Sequence, residues 1–124
     1  MIIIILIWYP KCSTCKRAKG FLEERGFSFQ LRDIVLDTPN MEELRIYLLK
    51  SGKSIRNFFN TSGMKYRELG LKNKLNDMSE DEMLSLLASD GMLIKRPILI
   101  CSDNVYIGFR EKEWSDINEN SEVQ

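Results

Sequence analysis

The chain has 124 residues, enough for one domain and short for two, and with 44% hydrophobic and 29% charged residues its composition is globular rather than disordered or low-complexity. Lys plus Arg and Asp plus Glu both number 18, so the formal net charge is zero, which argues against a general nucleic-acid or membrane-surface binder. The chain has no His, which excludes His general bases, Ser-His-Asp and Cys-His arrangements and every His-ligated metal site.

Met1 to Ile7 is very apolar but too short for a membrane span of about 20 residues. It also lacks the basic start and small-residue cleavage site of a secretory signal. Ile2 to Ile7 is mostly β-branched and reads as a buried central strand, which spans about Ile3 to Trp8. A helix opens at Cys12-Ser13-Thr14-Cys15 and runs to Arg25, with Gly26 just past its end and Cys15, Ala18, Phe21 and Leu22 as its apolar stripe. Phe27-Ser28-Phe29-Gln30-Leu31 alternates and continues to Ile34 as a second, half-buried strand. Asn40 and Glu43 have capping-box spacing ahead of a helix to Lys50, with Met41, Leu44 and Leu48 on one face and Ser51-Gly52 as its stop. Ser54 starts a short helix holding Ile55, Phe58 and Phe59, and the two Phe read as core. Asn60 to Gly63 is a polar turn, and Tyr66 to Leu71 reads as one or two helical turns. Ser79 and Glu82 form a second capping box before a helix carrying Met83, Leu84, Leu86 and Leu87, which Asp90-Gly91 stops. After Pro97, Ile98 to Cys101 is a short apolar strand; Ser102-Asp103-Asn104 turns it back into Val105 to Ile107. A last helix starts near Glu111, and the polar tail 118–124 is expected to fray.

The order is β-α-β, a helical block, then β-β-α. This is the thioredoxin arrangement, an α/β fold with a mixed four-stranded sheet. It would form one domain over 1–124, with a core at 1–37 and 95–117 and an all-helical insertion at 38–94.

Three Cys are too few for a disulfide framework and one short of an all-cysteine zinc site, so Cys12, Cys15 and Cys101 read as thiols of the reducing cytosol. Cys12 falls at a helix N-terminus, where backbone N–H groups and the dipole favour a thiolate. Lys11, Lys16, Arg17 and Lys19 surround it, and positions 10 to 22 hold no acid. Cys15, one turn on, can attack a mixed bond on Cys12 and close a disulfide. The competing readings are half of a zinc site or two inert thiols. Cys101 reads as a small core residue, and Trp8 and Tyr9 as packing beside the active loop. In a thioredoxin arrangement Pro97 is expected in cis opposite the cysteine, which would bring Arg96 near Cys12. The residues alone leave that even with a surface Arg before an ordinary trans Pro. Arg56 and Arg67 lie in the helical block and face either the cysteine or water.

Three segments carry a family resemblance: Trp8-Tyr9-Pro10-Lys11-Cys12 with Cys15-Lys16-Arg17-Ala18, Phe59-Asn60-Thr61-Ser62-Gly63-Met64, and Arg96-Pro97-Ile98. Together they resemble the arsenate reductase (ArsC) family, in the branch that includes the regulators Spx and MgsR. The resemblance implies a thioredoxin fold with a helical insertion, Cys12 as nucleophile, Arg96 as the oxyanion arginine and Pro97 as the cis proline. Glutaredoxin-coupled arsenate reductases usually have a lone Cys, whereas this chain has Cys15. The family's insertion arginine falls on Asn60 here, and the counterpart of its third anion-binding arginine lies near Arg110. Spx-type regulators have the C-x-x-C, bind the C-terminal domain of the RNA polymerase α subunit and use the disulfide as a switch.

The leading expectation is a cytoplasmic thiol oxidoreductase with Cys12 as nucleophile and Cys15 as resolving thiol. Lys11, Arg96 and the helix terminus would hold the anion. The substrate would be arsenate or a disulfide, and glutathione with glutaredoxin, or thioredoxin, would be the reductant. No bound metal or cofactor, no direct nucleic-acid contact and no membrane are expected. The alternative is a redox-sensing regulator partnered with the RNA polymerase α subunit. A third reading is a thioredoxin-fold adaptor with structural cysteines.

Overall fold

The apolar start becomes a strand, β1 (Ile4–Trp8), with Ile4, Leu6 and Ile7 buried. The structure, a computed structural model, describes residues 3–117, so the tail expected to fray at 118–124 lies outside the described residues. Internal contacts divide the chain into two units: residues up to Asp33 together with those from Arg96 onward, and Ile34–Lys95.

The first unit holds β1, α1 (Ser13–Glu24), β2 (Gln30–Asp33), β3 (Ile98–Cys101), β4 (Asn104–Ile107) and a short terminal helix, Glu111–Trp114. Its sheet has the order β2-β1-β3-β4. β1 runs parallel to β2 from Ile5↔Gln30 to Trp8↔Asp33, and antiparallel to β3 from Ile4↔Cys101 to Ile7↔Ile98. β3 and β4 form the expected hairpin, with Ser102 at φ 58 in its turn. β1 and β3 are central because their near-continuous apolar sequence suits burial on both faces. Ala18 and Leu22 of α1 join Ile4, Leu6, Leu99, Cys101, Trp114 and Ile117 in one core cluster. A fully buried aromatic of Trp114's kind removes roughly 150–250 Å² from water, worth about 4–6 kcal/mol as an upper figure. That anchor holds a terminal helix of only four residues, which is too short to stand alone.

The second strand is shorter than its alternation predicts. Gly26 at φ +77 lets α1 end in a Schellman motif, in which Gly26 N–H donates to Glu23 O at 3.0 Å and Phe27 N–H to Leu22 O at 3.1 Å. Phe27 therefore belongs to the helix end, and strand pairing begins only at Gln30, opposite Ile5. Phe27 and Phe29 pack against the core cluster with Ser28 and Gln30 exposed between and after them, as the alternation predicts, and only Leu31, 44% exposed, departs from it.

The second unit is all-helical apart from the bridge Phe59↔Ile94. It holds α2 (Met41–Ser51), a 3-10 turn at Ile55–Phe58, α3 (Met64–Glu68), α4 (Leu71–Lys74), a 3-10 turn at Leu75–Asp77, α5 (Glu80–Ser89) and a last one at Gly91–Leu93. The terminal helix of the first unit is α6. Both capping boxes form: Glu43 N–H donates to Asn40 Oδ1 at 2.8 Å and Asn40 N–H to Glu43 Oε1 at 3.1 Å. Ser79 and Glu82 repeat the pattern at 3.1 and 2.8 Å. Packing of α2 on α5 buries Leu44 and Tyr47, while Met41 and Leu48 stay half-buried, so the α2 core face is rotated from the expected one. Helical structure after the Asn60–Gly63 turn begins earlier and extends further than Tyr66 to Leu71; Leu71 and Leu75 supply its core contacts. Gly91 is required by a close approach: a Cβ there would lie 2.0 Å from Ile34 O. Among the described residues no helix is long and apolar enough to cross a membrane.

Candidate active site

Cys12 is the N-cap of α1, with φ −94 and ψ 121, and the first turn of this helix carries no acid. The preceding bend is tied to it, because Cys12 N–H donates to Tyr9 O at 2.9 Å. Helical bonding starts at once, Lys16 N–H donating to Cys12 O at 3.1 Å. Cys12 is half-buried, whereas Cys15 on the inner face of α1 is fully buried. Tyr9 N–H points at Cys15 and donates to its Sγ at 3.5 Å. All three cysteines are thiols in this structure.

The two thiols of the C-x-x-C are pushed in opposite directions. Burial works against the Cys12 thiolate. It is outweighed by the Cys15 N–H and thiol, the Arg96 guanidinium and the Thr14 N–H, so Cys12 sits below the ordinary thiol value. These N–H groups favour the thiolate without closing a side-chain cap hydrogen bond. Cys15 is pushed up to about 12, first by burial and then by its negative neighbour Cys12, against the Tyr9 N–H and Arg96. The half-exposed thiol is thus favoured as a thiolate, and burial disfavours the charged form of its neighbour.

Arg96 precedes Pro97 at the start of β3, and the peptide bond between them is cis. Pro97 is buried and its carbonyl accepts from Gly108 N–H at 2.8 Å. The Arg96 guanidinium lies over the Tyr9 ring, with Cζ 5.2 Å from the ring centroid, and favours the Cys12 thiolate. This cation, distant in sequence, is among the influences that lower the Cys12 thiol. Lys11 and Lys16 are exposed. Arg17 lies over Phe109 at 5.7 Å, and Lys19 pairs with Glu23 at 3.0 Å. The Tyr9 ring was readable only as packing, since no local pattern links positions 9 and 96.

The remaining candidates have other partners. Arg56 donates to Asn76 Oδ1 at 2.6 Å and Arg67 to Ser62 O at 3.0 Å. Asn60 N–H donates to Leu93 O at 2.8 Å. Arg110 is the exposed N-cap of α6, and Cys101 lies in the core. Among the described residues no group of three Cys, Asp or Glu side chains is placed to hold a metal ion.

A cysteine at this helix terminus, facing an arginine before a cis proline, places the chain among known proteins. The model of the ArsC family matches residues 7–117. The chain belongs to the ArsC family. The protein YusI of Bacillus subtilis is 54% identical to this ArsC-family chain over 109 residues, covering 88% of it and 92% of YusI. The regulatory protein MgsR of the same organism is 28% identical over 115 residues, covering 93% and 90%. A solved structure described as a possible arsenate reductase from Streptococcus mutans has a TM-score of 0.82 and 44% identity, covering 90% of this chain and 97% of that one. The ArsC-family core is thioredoxin-like, and its relatives include both arsenate-reductase-like proteins and regulators.

Proposed function

We propose that this ArsC-family chain is a thiol-disulfide oxidoreductase of the arsenate-reductase type. The observation that carries this reading is the placement of the two thiols: Cys12 is half-buried at the N-terminus of α1, with Arg96 favouring its thiolate, and Cys15 is fully buried one turn on. The Cys12 thiolate attacks arsenic in arsenate, releasing water after protonation, or one sulfur of a disulfide, releasing the other as thiolate. Cys15 then attacks Cys12 Sγ. The electron pair of the bond broken at Cys12 leaves with arsenic, as arsenite, or with the departing thiol, and a Cys12–Cys15 disulfide remains. Two of the influences that raise Cys15 come from Cys12, and the negative charge behind them vanishes once Cys12 is in covalent linkage, which eases its proton loss at that step. Glutathione with glutaredoxin, or thioredoxin, supplies two electrons to restore the dithiol. Arg96 and the helix terminus stabilise the thiolate and an arriving oxyanion, and Lys11 is the second cation of this reading.

The test is NADPH consumption with arsenate or a disulfide, coupled to each reducing system, against Cys12→Ser. Turnover that disappears in the variant supports the reading; turnover that persists without Cys12 sinks it. Similarity to MgsR favours a second reading, a redox-sensing regulator in which the same disulfide alters a surface for the RNA polymerase α subunit. It expects oxidation-dependent binding to that subunit and no turnover.

A further inference from the structure

Tyr9 touches both cysteines of the C-x-x-C and Arg96. Its carbonyl accepts from Cys12 N–H at 2.9 Å, and its N–H donates to Cys15 Sγ at 3.5 Å. Its ring lies beneath the Arg96 guanidinium, 5.2 Å from Cζ to centroid. The two backbone contacts survive any change of side chain, so the ring can be questioned separately. Tyr9 and Arg96 are both half-buried, a setting in which a cation over an aromatic face is held more firmly than in open water. A guanidinium on a long flexible stem loses considerable freedom when fixed. A ring that fixes it in advance spares that loss when a negative charge forms on sulfur.

We propose that Tyr9 is a positioning residue whose ring holds the Arg96 guanidinium in place for the Cys12 thiolate. The inference rests on the reading of Cys12 as the reactive thiol. It makes the aromatic face, and not the phenolic hydroxyl, the functional part of Tyr9. It also requires that Tyr9 act through Arg96 and not on Cys12 directly.

The experiment follows the pH dependence of iodoacetamide alkylation at Cys12 in the full chain, with the modified residue assigned by peptide mass spectrometry. In Tyr9→Leu the alkylation profile moves to higher pH, and the rate at neutral pH falls roughly three- to tenfold, the range a cation–ring contact of this kind supports. Tyr9→Phe keeps the ring and stays within about twofold of the parent. In an Arg96→Gln background Tyr9→Leu causes no further shift, as a double-mutant cycle requires of a residue acting through its partner. The inference is overturned by an unmoved profile in Tyr9→Leu, by an equal shift in Tyr9→Phe, or by an undiminished effect without Arg96. An ordinary thiol profile in the parent protein would remove the reactive-thiol reading as well. A depressed parent profile with an inert Tyr9→Leu removes only the role of Tyr9.

Discussion

The N-terminus of α1 and those of α2 and α5 solve the same problem in opposite ways. Each leaves backbone N–H groups without intrahelical acceptors. In α2 and α5 a capping box closes them, with Glu42 and Glu43, or Glu80, Asp81 and Glu82, adding negative charge in the first turn. In α1 the cap is Cys12, with no side-chain cap hydrogen bond and no acid in the first turn. α2 and α5 thus use their N-termini for stability, whereas α1 leaves its own underused, so that the favourable potential falls on a sulfur that can carry negative charge. A helix start that lacks its usual cap is informative when the residue standing there is a cysteine.

The largest effect expected from this contrast is on chemistry. Cys12→Ser should lower turnover with arsenate or a disulfide by more than about 1000-fold, as loss of a covalent nucleophile does, measured by the coupled NADPH assay. Cys15→Ser should leave the first attack intact and stop the second. Intact-protein mass spectrometry should then show a mixed adduct accumulating on Cys12, whereas the parent protein forms the internal disulfide.

Next comes the pH dependence of folding. Cys15 is raised from 9.0 to about 12 in the folded protein, so the unfolded chain loses this proton first. Its contribution is complete below pH 9 and is lost as pH rises from 9 toward 12. Denaturant midpoints across that window should fall more in the parent than in Cys15→Ala.

The caps themselves give smaller effects. Asn40→Ala and Ser79→Ala should each cost about 1 kcal/mol in urea unfolding. Cys12→Asp should move the other way, gaining on the order of 1 kcal/mol while abolishing turnover, because it supplies the missing cap. A Cys12→Asp chain no more stable than the parent would mean that α1 is not under-capped in any energetic sense. The smallest expected effect is acid sensitivity of the α5 box. The Ser79 backbone N–H and hydroxyl hold the Glu82 carboxyl below its usual 4.5. Its contribution is complete above that value and fades as pH falls through the depressed one, so the difference between the parent and Glu82→Gln should narrow in acid.

Features set by neighbouring residues could be read from the chain directly. The strand entering Cys12-Ser13-Thr14-Cys15, both capping boxes, Gly26 as a helix stop and the β3–β4 hairpin follow from local spacing and φ preference, which need no distant partner. The start of β2 did not follow, because Phe27 is claimed by the end of α1 and strand pairing waits for β1. Nor did the rotated face of α2, which its packing on α5 selects. Within the candidate site, the C-x-x-C lay open in the sequence, and the family resemblance pointed to Arg96. Charge counting drew attention to Lys11, Lys16, Arg17 and Lys19, of which the structure turns Arg17 to Phe109 and Lys19 to Glu23, since proximity in sequence says nothing of direction in space. Burial raises Cys15, and a cation carried in on β3 and laid over the Tyr9 ring favours the thiolate of Cys12. Both effects depend on solvent exclusion and on residues 87 positions apart, from 9 to 96, and arise only when the sheet brings β1 and β3 side by side.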